Sequence, residues 1–146
     1  MTEVRPARDR SEVDAALALR YDVFCVEQGV SLEEERDGRD DEALHLVVVD
    51  GGEIVGTCRL LAEGSDVKLG RMAVAASHRG RHLAAALLAE ADAQARELHA
   101  RRIVLAAQLT AQAVYHRAGY APYGDVFLDA DIEHVMMAKA LEYPAR

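Results

Sequence analysis

Residues 70 to 88 read GRMAVAASHRGRHLAAALL and connect a predicted strand to a predicted helix. The apolar start of this stretch belongs to a strand predicted over Val67–Val74, and its end belongs to a long helix predicted over Arg79–Leu98. Between the two lies a basic turn that contains Gly80. A strand that passes through such a turn into a helix is typical of proteins that pack helices on a sheet. The predicted apolar stripe of the helix comprises Leu83, Leu87, Ala91 and Leu98.

The rest of the chain alternates between short apolar runs and amphipathic runs, without internal repeats. This order predicts a mixed sheet with helices on both faces, in the α/β or α+β class, within a single domain over residues 1–146. The acidic segment Gly29–Asp41 is predicted to be a loop, long enough for a lid or a binding loop. The other predicted strands are Glu3–Ala7 (an edge strand, because of Pro6), Leu44–Val49, Ile54–Leu61, Ile103–Ala107, Tyr123–Phe127 and Val135–Leu141; the other predicted helices are Ser11–Glu27, with Ser11 as N-cap, and Thr110–Ala118, closed by Gly119.

The charge of the chain excludes one class of partner. The formal net charge is −8, and acidic residues crowd the segment Glu33–Glu42. Duplex nucleic acid is therefore not an expected partner, because its phosphates need a basic face. The acidic segment itself has two interpretations. It is either a rim that attracts a cationic acceptor such as an amine, or a solvated loop without a role in binding.

Metal, redox and membrane functions find no support in the sequence. Cys25 and Cys58 lie in apolar contexts without metal-ligand or redox spacing, and the histidines form no HExxH-like pair. The first ten residues are polar, and no apolar run approaches the roughly 20 residues that span a membrane. We therefore expect a cytoplasmic protein without a metal or a membrane partner.

The basic turn before the long helix has the composition of an anion-binding site. Free backbone N–H groups at a helix N-terminus attract anions, and Arg79, Arg81 and His82 add positive charge. The small residues at positions 84–86 would let a ligand approach the helix backbone, and a pyrophosphate is the ligand that suits such a turn. The alternative is an ordinary strand-to-helix turn with basic residues on its surface.

Two motifs resemble those of the GNAT (Gcn5-related N-acetyltransferase) family. The basic turn is similar to motif A, R/Q-x-x-G-x-G/A, with Arg79 in the first position, Ala84 in the last, and His82 where the family has Gly. The substitution at His82 is tolerable if that position has a negative φ. Residues 108–120 resemble motif B, N-x-x-A-x-x-x-Y-x-x-x-G-F/Y, in which Gln108 replaces Asn and the matches are Ala111, Tyr115, Gly119 and Tyr120.

The remainder of the chain resembles the ElaA-like subgroup of this family. The resemblance covers almost the whole chain and implies a mostly antiparallel central sheet flanked by helices on both faces. The chain departs from the subgroup at Glu133, where Pro often precedes the last His. The matching pieces are Leu19-Arg20, Val23-Phe24, Glu27–Val30, Asp37-Gly38, Asp40, Ala43–Leu46, Phe127, Asp129, Ile132–Val135 and Met137.

The resemblance implies transfer of an acetyl group from acetyl-CoA to an amine by direct attack, without a metal. The amine would belong to a small molecule or a peptide. In the family, the Tyr at the position of Tyr115 often lies near the coenzyme sulfur, where it can protonate the departing thiolate. The acceptor-site residues, candidates for the base, are Glu27, His45 and His134. The expected coenzyme-binding residues are Met72, Ala73, Val74, Arg79, Gly80, Arg81, His82, Leu83, Ala84 and Gln108.

Each candidate base also has a structural alternative. His45 would only anchor its strand, and His134 would only form a hydrogen bond at a sheet edge. Glu27 would pair with Arg20, itself expected on the surface of its helix. Cys25 has no visible His partner, so a covalent acyl-enzyme is not expected.

Two other functions stay open on the sequence. Residues 20–41 faintly resemble acyl-homoserine-lactone synthases, although this chain looks short for docking an acyl carrier protein. A non-catalytic acyl-CoA-binding module is the second, because His82 and Gln108 depart from the family motifs. A homodimer that pairs through the apolar last strands also stays open.

Overall fold

The structure is a computed structural model in which residues 2–144 are described. The strands are β1 (Thr2–Pro6), β2 (Leu44–Asp50), β3 (Glu53–Glu63), β4 (Asp66–Val74), β5 (Arg102–Gln108), β6 (Ala121–Asp129) and β7 (Ile132–Ala140). The α-helices are α1 (Arg10–Arg20), α2 (Leu32–Glu35), α3 (Leu83–Glu97) and α4 (Gln112–Arg117). Within residues 2–144, no helix is both long enough and apolar enough to cross a membrane.

The strands form one sheet in the order β1-β2-β3-β4-β5-β7-β6. Every neighbouring pair is antiparallel except β4 and β5, which run parallel. A parallel pair requires a crossover connection, and α3 supplies it. β1 lies at one edge of the sheet, as Pro6 indicates. The sequence-based fold class, a mixed and mostly antiparallel sheet flanked by helices, is confirmed.

A long helix covers each face of the sheet. On one face, α3 packs Leu87 into the main apolar core together with Leu46 of β2. On the other face, α1 packs Leu19 against Ala73 of β4. Side chains alternate between the two faces along each strand, which is why one sheet supports two separate apolar clusters. Leu98, predicted for the apolar stripe of α3, lies beyond the end of that helix and is 55% exposed, so this prediction is wrong.

The cap of α1 differs from the sequence-based prediction. The carboxylate of Asp9 accepts a hydrogen bond from the backbone N–H of Glu12 at 3.0 Å, so Asp9 is the N-cap. Ser11, predicted to be the cap, lies in the first turn, and its hydroxyl donates a hydrogen bond to Asp9 at 2.7 Å. The N-cap therefore lies two residues earlier than predicted.

The start of α3 also differs, and the reason lies in the backbone. Gly80 and His82 have φ angles of 77° and 62°, in the left-handed region that an α-helix excludes. The helix consequently begins at Leu83 instead of Arg79. The negative φ that would make His82 an easy substitution is not found, and a non-Gly residue is strained there. A positive φ explains why the family has Gly at this position.

The end of the first helix is confirmed at Glu27, although its last part is not an α-helix. The chain continues from α1 as a π-helical turn over Tyr21–Glu27, and the N–H of Gln28 bonds to the carbonyl of Val23 at 3.2 Å. π-helical turns are rare, and those that occur are often found at functional sites. Here the wider turn sets the direction in which Glu27 and Gln28 leave the helix.

The acidic segment after this turn is not wholly a loop, because it contains α2, and it is not wholly solvated, because Glu35 is buried. Arg20, expected on the helix surface, has a side chain only 1% exposed and donates to Glu35 at 2.7 and 2.9 Å. It also donates to Asp40 at 2.7 Å. A buried ion must be paired, and Arg20 is paired with two carboxylates of the segment.

Two further arginines complete what we name the charge cluster, which consists of Arg20, Arg59, Arg71, Glu35, Asp37 and Asp40. Arg59 of β3 bonds both carboxylate oxygens of Asp37 and reaches Asp40 at 3.0 Å. Arg71 of β4 bonds Glu35 at 3.0 Å. Arg36 also bonds Glu35, at 3.2 Å, from an exposed position. The ion pairs of the cluster fasten the acidic segment to α1, β3 and β4.

Replacement of Arg20 by Met tests the weight of the charge cluster. We expect Arg20→Met to lower the free energy of unfolding by about 3–5 kcal/mol, because Glu35 and Asp40 lose their buried partner. Urea unfolding measures the change. Arg8→Met, which removes only an exposed ion pair with Glu3, is the matched control and should change the free energy by about 1 kcal/mol or less. An equal effect of the two substitutions would contradict the role given to the cluster.

Acid titration is a second test of how much the charge cluster stabilises the fold. Hydrogen bonds from Arg59 hold the pKa of Asp37 well below its usual range. Burial alone would raise the pKa of Asp40, but hydrogen bonds from Arg20 and Arg59 outweigh it, so this pKa is also lowered. A lowered folded-state pKa stabilises fully above the unfolded value of about 4, and the stabilisation is lost as the pH falls toward the folded pKa. The unfolding free energy should therefore decline below about pH 4.

Candidate active site

The sheet is open between β4 and β5. These parallel strands pair only through Asp66–Lys68 and Arg102–Val104. The opening coincides with a β-bulge in β4, where Arg71 has a φ of 54° and the register with β3 shifts. Among the described strands, none pairs with β4 on its β5 side beyond Lys68, so backbone N–H groups on that side are available to a ligand.

Two cavities meet at this opening. One, of about 320 Å³, lies between the π-helical turn, α2 and the open strands, and we name it the sheet cavity. The other, of about 830 Å³, runs along the first half of α3 to α4, and we name it the helix cavity. Ala84 and Val114 line both cavities, so the two join where α3 begins beside α4. The small side chain of Ala84 keeps this junction wide.

Tyr115 of α4 lines the sheet cavity next to Val114. Its side chain is buried, and its ring packs edge-on against Tyr120 with ring centroids 6.2 Å apart. Burial raises the pKa of Tyr115 to about 12, because a buried phenolate would lose its hydration, and the nearby Cys58 adds to the effect. Tyr115 is therefore a protonated phenol at neutral pH, and it can donate a proton into the cavity.

The two histidines that the sequence offers as bases lie in different environments. His134 of β7 lines the sheet cavity, opposite Gln108 in the sheet register, and its ring stacks on Phe127 at 5.9 Å. Its Nδ1 lies 2.7 Å from the carbonyl of Ile132, and a carbonyl accepts only, so Nδ1 carries a proton and a neutral ring has its lone pair on Nε2. His45 is buried in β2, bonds the Asp40 carbonyl at 2.9 Å, and lines neither cavity.

Glu27 and Arg79, which the sequence offers for different roles, form an ion pair with each other. Two contacts of 2.9 Å join the Arg79 guanidinium to the two carboxylate oxygens of Glu27. Arg79 also donates to the carbonyl of Val74 at 3.1 Å. The predicted alternative, a pair between Glu27 and Arg20, does not occur because Arg20 belongs to the charge cluster. With both carboxylate oxygens engaged by Arg79, Glu27 is poorly placed to act as a base.

A second contact crosses the opening one residue further along the chain. The amide of Gln108 donates to the side-chain oxygen of Gln28 at 2.9 Å, and both residues line the sheet cavity. The π-helical turn therefore contacts both sides of the opening: the end of β5 through Gln28, and the turn before α3 through Glu27.

The other predicted coenzyme-binding residues are distributed over both cavities. Met72 lines the sheet cavity, next to the bulge. Ala73 is buried against α1 and lines neither cavity. Arg81 is exposed in the turn before α3 and lines neither cavity. The predicted coenzyme-binding residues that line the helix cavity are Val74, Arg79, Gly80, His82, Leu83 and Ala84.

Several residues that line these cavities are not among the site residues predicted from the sequence, including Lys68 and Gln28 of the sheet cavity and Arg117 of the helix cavity. Gln28 and Arg117 both lie inside the motifs quoted above, so their position in the motif was a usable signal. Lys68 carries no such signal, because it lies in an apolar strand and reads as an exposed residue of β4. Among residues 2–144, no group of His, Cys, Asp or Glu is arranged to hold a metal ion.

Comparison with known proteins decides the family. A family model for the acetyltransferase (GNAT) domain matches residues 8–141. The chain belongs to the GNAT acetyltransferase family. The chain is also 34% identical over 134 residues to the uncharacterized N-acetyltransferase YjcF of Bacillus subtilis, an alignment that covers 91% of this chain and 96% of YjcF. Membership of this GNAT family supports acyl transfer as the general activity.

Solved structures confirm the ElaA-like resemblance of this GNAT protein. Escherichia coli ElaA superposes with a TM-score of 0.85 at 26% identity, covering 95% of this chain and 99% of ElaA. An acyl-CoA N-acyltransferase from Pseudomonas aeruginosa superposes with a TM-score of 0.84 at 30% identity, covering 96% of this chain and 99% of that protein.

Removal of the Glu27 charge separates its two roles. We expect Glu27→Gln to tighten the binding of coenzyme A about threefold, because an exposed ion pair that competes for Arg79 is worth at most about 1 kcal/mol. Titration calorimetry measures the affinity. Glu33→Gln, on the neighbouring acidic segment and without an ion pair in the described chain, is the control for the charge change. Unchanged affinity with a large loss of turnover would instead identify Glu27 as the base.

Proposed function

We propose that this GNAT protein transfers an acetyl group from acetyl-CoA to an amine by direct attack. The observation that carries the proposal is the opening between β4 and β5, because it joins two cavities beside unpaired backbone N–H groups. A two-substrate transfer needs this arrangement, since the donor and the acceptor must meet from different sides at one reacting atom.

The coenzyme occupies the helix cavity in this proposal. Its pyrophosphate binds at the turn Arg79–His82 and the N-terminus of α3, where backbone N–H groups and basic side chains favour an anion. Its apolar arm follows the cavity toward Ala84, and the thioester reaches the junction of the two cavities. Backbone N–H groups of Met72–Val74 polarise the thioester carbonyl as negative charge develops on its oxygen.

The acceptor amine occupies the sheet cavity. Its nitrogen attacks the thioester carbon, the carbon–sulfur bond breaks, and the thiolate takes the phenolic proton of Tyr115. The amine proton passes to Nε2 of His134, the ring nitrogen whose lone pair is not used by the backbone. His45 has no part in this scheme, because it lines neither cavity.

The protonation state of the Cys25 thiol favours direct attack over a covalent acyl-enzyme. Burial raises the pKa of the Cys25 thiol, with the charge of Glu35 adding to the shift, so the thiol is mostly protonated at neutral pH. The thiolate is the nucleophilic form, and its fraction is therefore small. Direct attack by the amine needs no such group.

Two conservative substitutions test the assigned roles. We expect Tyr115→Phe and His134→Gln each to lower kcat about 100-fold, because each removes one positioned proton-transfer group. Coenzyme affinity should change less than about threefold, because neither group contacts the pyrophosphate end. Steady-state kinetics with acetyl-CoA and a panel of amines measures kcat, and calorimetry measures the affinity.

The same experiment separates a catalytic from a non-catalytic protein. Since the pKa of Tyr115 is about 12, the wild type should keep its activity up to at least pH 9 without loss from this residue. Coenzyme binding without turnover in the wild type, or turnover equal in wild type and both variants, would contradict the proposed chemistry.

A further inference from the structure

A few cations of this acidic protein have no carboxylate partner in the part of the chain that the structure describes. Every Lys and Arg side chain within residues 2–144 lies within 4.0 Å of a carboxylate, except Lys68, Arg81 and Arg117. Carboxylates outnumber cations in the chain, which has a net charge of −8. A cation without a partner in such a chain is therefore not explained by a shortage of acids.

Two of the three cations lie on the side of the molecule that the proposed function gives to the coenzyme. Arg81 lies in the turn before α3, and Arg117 lines the helix cavity. Both are on the side that the proposed function gives to coenzyme A, whose phosphates supply the missing anions. Lys68 is different, because it lines the sheet cavity, on the side of the acceptor.

The sheet register places Lys68 at the far end of the acceptor's path. Lys68 pairs with Val104 of β5, and Gln108, four residues further along β5, pairs with His134. Alternate residues of a strand point to one face, so Lys68 and His134 share a face of the sheet. Four residues of strand separate the two levels by about 13 Å. Between them lies the small side chain of Ala106, which also lines the cavity.

No other charged side chain of the sheet cavity forms an ion pair with Lys68. Arg71 and Glu35, which also line the cavity, are paired with each other at 3.0 Å. Glu34 and Asp129 add negative charge to the lining, but neither forms an ion pair with Lys68. The cavity thus presents one cation at the Lys68 end together with carboxylates that attract a protonated amine.

We propose that the acceptor is an amino compound that also carries an anionic group, with the anion bound by Lys68 and the amine presented at His134. This inference rests on the proposed function. A lysine side chain spans part of the distance, so the anion lies roughly 10 Å from the amine nitrogen, about the length of three extended residues. Amines without an anionic group are poor acceptors because the Lys68 ammonium then gains no partner.

Matched peptides test the inference directly. Triglycine and triglycinamide have the same length and the same amine, and they differ in the charge of one end. With acetyl-CoA as donor, we expect kcat/KM to be about tenfold higher for triglycine, mainly through KM, because a charge-assisted contact is lost in the amide. Glycine, whose carboxylate is too close to its amine, should be a poor acceptor.

Variants of Lys68 assign the preference to this residue. Lys68→Met should reduce the ratio of the two kcat/KM values to about one, and Lys68→Glu should favour triglycinamide. Arg101→Met, an exposed substitution outside both cavities, is the control and should keep the ratio. Calorimetry with coenzyme A should give the same affinity for every variant, which shows that each is folded.

The outcomes separate this inference from the proposed function. A ratio near one in the wild type, or a preference that survives in Lys68→Met, overturns the inference and leaves acyl transfer standing. If neither peptide is acetylated nor binds to the coenzyme-saturated protein by calorimetry, the inference is also overturned. Loss of coenzyme binding in the wild type would overturn the proposed function itself.

Discussion

The buried ion pairs of the charge cluster hold the acidic segment against the sheet. Charges that leave water are costly unless partners replace the water, and here Arg20 exchanges its hydration for two carboxylates. Because the partners come from the segment between α1 and β2, the pairing turns an acidic segment into one wall of the sheet cavity. Arg71 belongs to the same cluster and also forms the bulge of β4. The six side chains of the charge cluster thus fix both the wall and the opening of the site.

Much of the fold follows from patterns within a few residues of each other. Every strand of the sheet lies where the sequence predicts one, and the turn at Gly119 closes α4 as expected. Apolar runs account for the buried strands, whereas β6 is exposed along its whole length. The starts of α1 and α3 were harder to predict from the sequence. The cap at Asp9 competes with Ser11 two residues later. The only signal for the left-handed φ of His82 is the Gly that the family has at this position.

The site was predictable where a motif carries it and not where long-range pairing does. Tyr115 and Gln108 occupy motif positions, and both line the sheet cavity. The partners of Glu27 could not be read from the sequence, because Arg79 lies 52 residues away and competes with Arg20 for the same role. Lys68 stands out only when the ion pairs of the other cations and the positions of Arg81 and Arg117 are known, which requires the three-dimensional structure.

Titration calorimetry with acetyl-CoA tests whether the coenzyme binds in the helix cavity, at the turn Arg79–His82. Acetyl-CoA should bind the wild type with one site per chain, and Arg79→Glu/Arg81→Glu should weaken that binding at least about 100-fold, because two charge-assisted phosphate contacts become repulsive. Arg8→Glu/Arg10→Glu carries the same change of charge at exposed positions outside both cavities and should bind as the wild type does. Absence of binding to the wild type at millimolar acetyl-CoA, or equal binding by both double variants, would contradict the account.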